Sequence, residues 1–375
     1  MSPKSLKGTG FLGKNTASSL FKKLKMSKSS ESEGSDSYSG IKSSYPKEYK
    51  DAWTQQEDKY YADYKHYNIE YGHPCDYEKL EKLGRGKYSE VFSGLGINNQ
   101  KVVMKFLKPV KQEKINREVK IMMAVRDGPN VNKLIDVVKD NATNSPVLIT
   151  EYMDVSHGNI KDYYSAITPF EVKFYIYKIL MALNYVHSKG IMHRDIKPHN
   201  VLINVNTRKL NIIDWGLAEF YVPDTDYHPR VASRYFKGPE LLVGYPYYHY
   251  SLDIWSLGWM LAGIVFKREP FFKGDDNDDQ LVKIAKVLGS EALDEYIKKY
   301  SIVLPSVFDD ILGIYSCKPW EKFVTAENKK YATEEALDLV SQMLVMDHCN
   351  RITTTEWINH PYFDEVRDIV ESEYQ

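Results

Sequence analysis

The sequence predicts an α+β fold in two lobes, a small β-rich one followed by a larger, mainly helical one. Two observations carry this expectation. From about residue 76 to 151, short runs rich in β-branched and aromatic residues alternate with turn formers; from about 156 onward the apolar period is that of helices. A third observation bears on size. The chain has 375 residues, 43% of them hydrophobic, which is more core than one small lobe needs.

Taken in order, residues 1 to about 45 are rich in Ser, Lys and Gly and poor in large apolar side chains. Such a segment buries too little to offset its ordering entropy and is expected to be a disordered tail. Within it, "SSLFKKLKMSK" sets Leu20, Phe21 and Leu24 beside Lys22, Lys23, Lys25 and Lys28, and reads first as a solvated basic tail and second as a short basic amphipathic helix for a membrane surface or a partner. Residues 46–75 are so rich in Tyr ("YYADYKHYNIEYG") that they are expected to pack on the folded body.

The N-terminal lobe is expected over 76–151. "VFSGLGI", "KVVMKFL" and "PVLITEY" read as strands, and "KINREVKIMMAV" places Ile115, Val119 and Met122 on one helical face. The C-terminal lobe is expected over 152–365. Its first long helix, "TPFEVKFYIYKILMALNYVHSKG", has Thr168 as its N-cap and Gly190 as its stop. A short C-terminal tail, 366–375, follows.

Composition excludes several functions. A net charge of −1 gives no overall field toward nucleic acid. The longest apolar run, "WSLGWMLAGIVF", is too short to be a transmembrane segment. Cys75, Cys317 and Cys349 are odd in number and far apart. They argue against a disulfide framework or a zinc site and fit a reducing compartment, the cytoplasm, the nucleus or both.

Four motifs carry chemistry. "LGRGKYSEV" (Leu83 to Val91, with Gly84, Gly86 and Ser89) is a Gly-rich turn whose backbone N–H groups can approach phosphates. Lys105 lies inside an apolar strand and needs an anion, for which Glu118 on the next helix is the candidate. "GIMHRDIKPHNVLI" concentrates polar residues between apolar flanks. Asp195 there can accept a proton, Lys197 can stabilise phosphate charge, and Asn200 can bind a metal. In "LNIIDWGLAEF", Asp214 emerges from an apolar strand, a position that suits a metal ligand.

The order and spacing of these motifs, with "GPE" at Gly238–Glu240 and "DIWSLG" at Asp253–Gly258, resemble the protein-kinase signature set over roughly residues 76–365. The resemblance implies the bilobal protein-kinase fold and a transferase using ATP and Mg²⁺. It assigns Asp195 as the base, Lys105 (held by Glu118) and Lys197 to the phosphates, and Asn200 and Asp214 to the metal. Nucleotide contacts fall on Leu83, Gly84, Arg85, Gly86, Lys87, Tyr88, Ser89, Val91, Val103, Lys105, Glu151, Met153, Leu202 and Ile213. Lys197 after "HRDI" looks like a Ser/Thr rather than a Tyr kinase. His193 is expected to pack, Glu240 to pair with Arg351, and Asp253 to bond the catalytic-loop backbone.

Within that family, "DWGLAEFY", "RVASRYFKGPELLVGYPYYHYSLDIWSLG" and "EPFFKGDDNDDQLVKIAKVLG" resemble the casein kinase 2 catalytic subunits. This implies constitutive activity on Ser or Thr followed by acidic residues, with GTP as a second donor. Arg230, Arg234 and Lys237 would then form a basic floor beside the transfer site, with Arg230 and Lys237 facing the acid just after the target, and Lys111, Lys114 and Arg117 would face acids further along. Ser30, followed by Glu31 and Glu33, fits the same pattern. A casein kinase 2 β-type regulatory subunit is an implied partner, weakened by Lys79 where an apolar residue is usual. The Lys run of the second patch is interrupted here by Gln112, Glu113 and Asn116; Ala62 stands for a usual Trp, and Thr150 for a usual Phe. The alternatives are a cyclin-dependent or MAP-type kinase, whose T-x-Y switch is missing, and a pseudokinase scaffold, for which every catalytic position would have to be idle.

Overall fold

The computed structural model describes residues 40–155 and 166–374. The expectations for Lys22 to Lys28 and for Ser30 fall outside these residues. The N-terminal lobe is an antiparallel sheet of five strands, ordered β1-β2-β3-β5-β4: β1 (Glu78–Arg85), β2 (Ser89–Leu95), β3 (Lys101–Leu107), β4 (Leu134–Lys139) and β5 (Pro146–Glu151). Helix α1 (Gln112–Val125) buries Ile115, Val119, Ile121, Met122 and Val125 in the main core. Val102, Met104, Val138, Val147 and Ile149 form a smaller apolar layer within the sheet.

The C-terminal lobe is helical. Helix α2 (Pro169–Ser188) starts where Thr168 and Glu171 form a reciprocal capping box, and ends before Gly190, whose φ of +70° is left-handed. Helices α3 (Pro239–Leu242), α4 (Ser251–Val265), α5 (Asn277–Leu288), α6 (Ser290–Tyr300), α7 (Phe308–Ile311), α8 (Glu334–Met343), α9 (Thr354–Ile358) and α10 (Arg367–Glu371) follow. Every residue of α4 is buried, so this apolar run is a core helix. Among the described residues no helix is long and apolar enough to cross a membrane. Three short strand pieces, β6 (Ile191–Met192), β7 (Val201–Asn204) and β8 (Lys209–Ile212), bracket the polar loop, and β6 pairs with β9 (Glu219–Phe220).

The Tyr-rich segment straps both lobes. Asn116 and Lys120 of α1 donate to the carbonyls of Tyr67 and Tyr60, at 2.9 and 2.6 Å, and Gly72 N–H donates to Val137 O. Ordered packing also begins earlier than the composition suggested. Lys42 N–H already donates to Tyr300 O, and Ser44 is buried, so residues 41–45 belong to the folded body rather than to a tail. At the other end the tail docks: Tyr177 donates to Glu371, the buried Lys178 to Glu373, and Tyr374 to Asn130.

Candidate active site

The Gly-rich turn joins β1 to β2. Gly86 N–H donates to Ser89 O at 2.9 Å, and Lys108 Nζ holds the turn from outside through the carbonyls of Gly86 and Lys87. Leu83, Gly84 and Arg85 end β1; Lys87 and Tyr88 form the tip, with Leu83 and Tyr88 exposed. A Cβ on Gly84 would meet nothing within 4 Å, so this turn borders open space. Val91 and Val103 on β2 and β3, and Leu202 and Ile213 on or beside β7 and β8, are only half-buried, while their neighbours Val102, Met104, Val201, Ile203 and Ile212 are buried. Apolar side chains left half-covered on both lobes are what a planar ring would complete. Glu151 and Met153 lie on the connection between the lobes; the Glu151 carboxylate is held by Lys133 N–H and Asn211 Nδ2.

Lys105 Nζ donates to Glu118 Oε1 and Asp214 Oδ1, each at 2.7 Å. Burial alone would lower the ammonium's pKa; Glu118 and then Asp214 reverse this and hold it above the ordinary lysine value. Burial likewise would raise Asp214, but Lys105 keeps it below the usual carboxylate value. Asp214 itself has φ +65°, a strained conformation for a non-Gly residue. Gly216 lies against the same cluster: a Cβ there would stand in ordinary contact, 3.4 Å from Glu118 Oε2 and 3.5 Å from Asp214 Oδ1.

Asp195 gathers three partners. Its Oδ2 accepts from Lys197 Nζ at 2.6 Å and Asn200 Nδ2 at 3.0 Å, and its Oδ1 accepts from the amide and hydroxyl of Ser233 at 3.1 and 3.2 Å. Ile213 N–H donates to Asn200 O at 2.9 Å, tying the two metal candidates, Asn200 and Asp214, through adjacent backbone. A carboxylate and an amide oxygen are hard donors that suit Mg²⁺. His193 is buried and packs edge-on to Trp215, with Nε2 donating to Ile213 O; burial lowers its pKa and keeps it neutral. Asp253 accepts from the backbone N–H groups of His193 and Arg194 and from His187 Nε2. Glu240 meets Arg351 in a two-pronged pair at 2.7 Å, both side chains fully buried. These three placements agree with the sequence.

The substrate patches differ from expectation in two places. Arg117 does not belong to an open basic patch: it turns inward to Glu219 Oε2 at 2.6 Å and to Gly216 O. Its neighbour β9 brings a carboxylate within reach, and a half-buried guanidinium takes the nearest anion. Lys237 is not on an exposed floor. It is buried, its Nζ donates to Val231 O, and burial lowers its pKa even though Asp195 pulls the other way. Arg230, Lys111 and Lys114 are exposed, and Arg234 is exposed with Nη1 on Asp275 O.

Sequence reasoning passed over Arg194 and Glu219. Arg194 donates to Leu217 O at 2.7 Å, Tyr248 Oη at 2.9 Å and Glu219 Oε2 at 3.4 Å. Glu219 therefore sits between two arginines from different lobes. The signal lay in the quoted motifs, since an Arg next to Asp195 inside core must have an anion.

A Gly-rich turn, a buried Lys–Glu pair, an Asp on a half-open strand end and an Asp–Lys–Asn loop together define a phosphotransferase cleft between two lobes. A model of the protein kinase domain matches residues 77–363, and the chain belongs to the protein kinase family. Protein kinase domains use ATP and Mg²⁺, and the donors just described fit both.

Proposed function

We propose that the chain is a constitutively active Ser/Thr protein kinase of the casein kinase 2 type, directed to hydroxyls followed by acidic residues. The observation that carries the Ser/Thr reading is the 2.6 Å contact of Lys197 with Asp195, closed by Ser233 Oγ on Lys197 at 3.1 Å. Asp195 takes the proton of the incoming hydroxyl, and Lys197 offers positive charge where the transferred phosphoryl group passes. Lys105, set by Glu118, neutralises the other phosphates. Mg²⁺ held by Asp214 and Asn200 supplies further charge neutralisation when bound. The exposed Arg230 and Arg234 supply the basic character near Ser233 in the same segment, and Lys111 and Lys114 form a reduced distal patch. The reading carries a cytoplasmic or nuclear location, in keeping with three free cysteines. It leaves the β-type regulatory subunit as a weak partner: Lys79 caps the rings of Phe92 and Phe106 at 4.9 and 5.3 Å on the outer sheet face. The deciding experiment is a peptide array with purified chain and with Asp195→Ala. Phosphorylation of acid-flanked Ser and Thr by the active chain alone is expected; phosphorylated Tyr peptides, or no dependence on flanking acids, would refute the reading.

Constitutive activity is supported by the Glu219 carboxylate, which already occupies Arg194 and Arg117 as a loop phosphate would. Tyr61 and Tyr64 pack on Phe220 with ring centroids at 5.1 and 6.3 Å, fixing the start of the same segment. Protein made in bacteria and treated with phosphatase is therefore expected to keep its activity. Glu219→Gln is expected to lower kcat/KM about tenfold, ~1.4 kcal/mol, because the buried Arg194 and the half-buried Arg117 lose their anion. An absolute need for an upstream kinase in the unmutated chain would end this account.

GTP is expected to serve within about tenfold of ATP. The half-covered walls of Val91, Val103, Leu202 and Ile213 hold either purine by apolar contact, and the resemblance places water at the hinge. Measured kcat/KM values decide this: a hundredfold preference for ATP is the contrary result.

A further inference from the structure

The scattered cysteines spoke against a zinc site, but the fold brings one of them to two histidines. His249 precedes α4, and His348 and Cys349 lie in the turn after α8. His249 Nε2 is 3.6 Å from Cys349 Sγ, and the two imidazole centroids are 5.0 Å apart. One donor atom from each of the three residues lies within 4.8 Å of the others. Bonds of about 2.0–2.1 Å from zinc to nitrogen and about 2.3 Å to sulfur, in a tetrahedron, space such donors by about 3.6 Å.

The surroundings suit an ion. All three residues line one cavity of about 30 Å³, room for a single small occupant. Two buried polar atoms of residues on the same wall, Glu48 Oε2 and Ser251 Oγ, have no hydrogen-bond partner among the described residues. Both histidines are buried. The nearby positive charge of Arg351 is matched by Glu240. Ligation through His348 Nε2 leaves the proton on Nδ1, 2.8 Å from Tyr296 Oη, which accepts it. The displaced neighbour is Ser44 Oγ, at 2.7 Å, which keeps its bond to Tyr247 O. Ligation through His249 Nε2 gives up a long 3.4 Å contact from Ser251 N–H.

We propose that His249, His348 and Cys349 form a zinc site, completed by water or by the Glu48 carboxylate. The thiol proton of Cys349 leaves to solvent on binding, and a thiolate–zinc bond forms. Glu48 belongs to the N-terminal strap, so where its carboxylate completes the site the ion fastens that strap to the C-terminal lobe.

The test uses the full chain, stripped with chelator and titrated with zinc in excess Mg²⁺ against a chromophoric competitor. One zinc per chain is expected, with Kd below about 1 µM and a rise in Tm on loading. Cobalt(II) is expected to give the near-ultraviolet charge-transfer band of a thiolate–metal bond. Cys349→Ser removes that band and weakens zinc at least about tenfold, and His249→Asn weakens it comparably. Circular dichroism and the metal-free Tm report whether each variant folds. If His249→Asn does not, the near-isosteric Cys349→Ser decides alone. Equal zinc affinity in the unmutated chain and Cys349→Ser, or a cobalt adduct without the charge-transfer band, overturns the proposal.

Discussion

Lys105→Met and Asp214→Asn are each expected to reduce phosphotransfer by about 10²- to 10³-fold or more, the scale of losing one pre-aimed charge. Lys105 is shared by Glu118 and Asp214, at 2.7 Å from each. Its removal takes charge from the phosphates and frees Asp214 to move. Asp214→Asn instead keeps the shape and removes the anion that a metal needs. The two variants fail differently: Lys105→Met is expected to raise KM for nucleotide as well as lower kcat, and Asp214→Asn to shift the Mg²⁺ dependence to higher concentration. Met restores the aliphatic packing of the lysine stem, and the cleft opens to water, so both proteins are expected to fold. Steady-state kinetics on purified variants, with melting curves beside them, provide the check. Near-normal turnover in either variant would remove the phosphotransfer role assigned to this cluster.

The pairings inside this site were legible in the sequence where charge had no alternative. A Lys in "VVMKFL" must have an anion, and Glu118 lies on the only helix expected in the same lobe. Thr168 and Glu171 announce a helix start by spacing alone. Other features were hidden for physical reasons. Strand β1 reads "EKLEKLGR" and is exposed along nearly its whole length, so no apolar alternation marks it. Strand β4, "LIDVVK", carries a bulge at its start that breaks its period. The basic residues were misread where charge did have an alternative. Arg117 and Lys237 look free in a linear sequence, but Glu219 and Val231 O, supplied by folding, claim them. His249 and Cys349 are 100 positions apart, and neither residue signals the other; only the packing of α4 against the turn after α8 brings them together.

The second large effect concerns stability. Arg351→Met is expected to destabilise the chain by about 3–5 kcal/mol, the cost of stranding a buried charge. Arg351 uses Nη1 and Nη2 on both oxygens of Glu240, Nη1 also on Ser251 O, and Nε on Val345 O, while its guanidinium lies 4.8 Å from the Trp255 ring centroid. Both partners have no exposed surface. Met replaces the stem and the contact with Trp255 but leaves the Glu240 carboxylate, which has no exposed surface, without its cation. The loss is a large part of the roughly 5–15 kcal/mol that holds a typical domain. If the stranded charge is the cause, removing it as well must recover stability. Arg351→Met with Glu240→Gln is therefore expected to be less destabilised than Arg351→Met alone, because two neutral groups of similar size replace the pair. Glu240 sits in α3, just after Lys237 and Ser233, so the single variant is also expected to raise KM for peptide before it unfolds. Urea unfolding of the three variants, with peptide kinetics at low urea, measures both. A double variant no more stable than Arg351→Met would show that lost packing around Trp255, not the unpaired carboxylate, sets the cost.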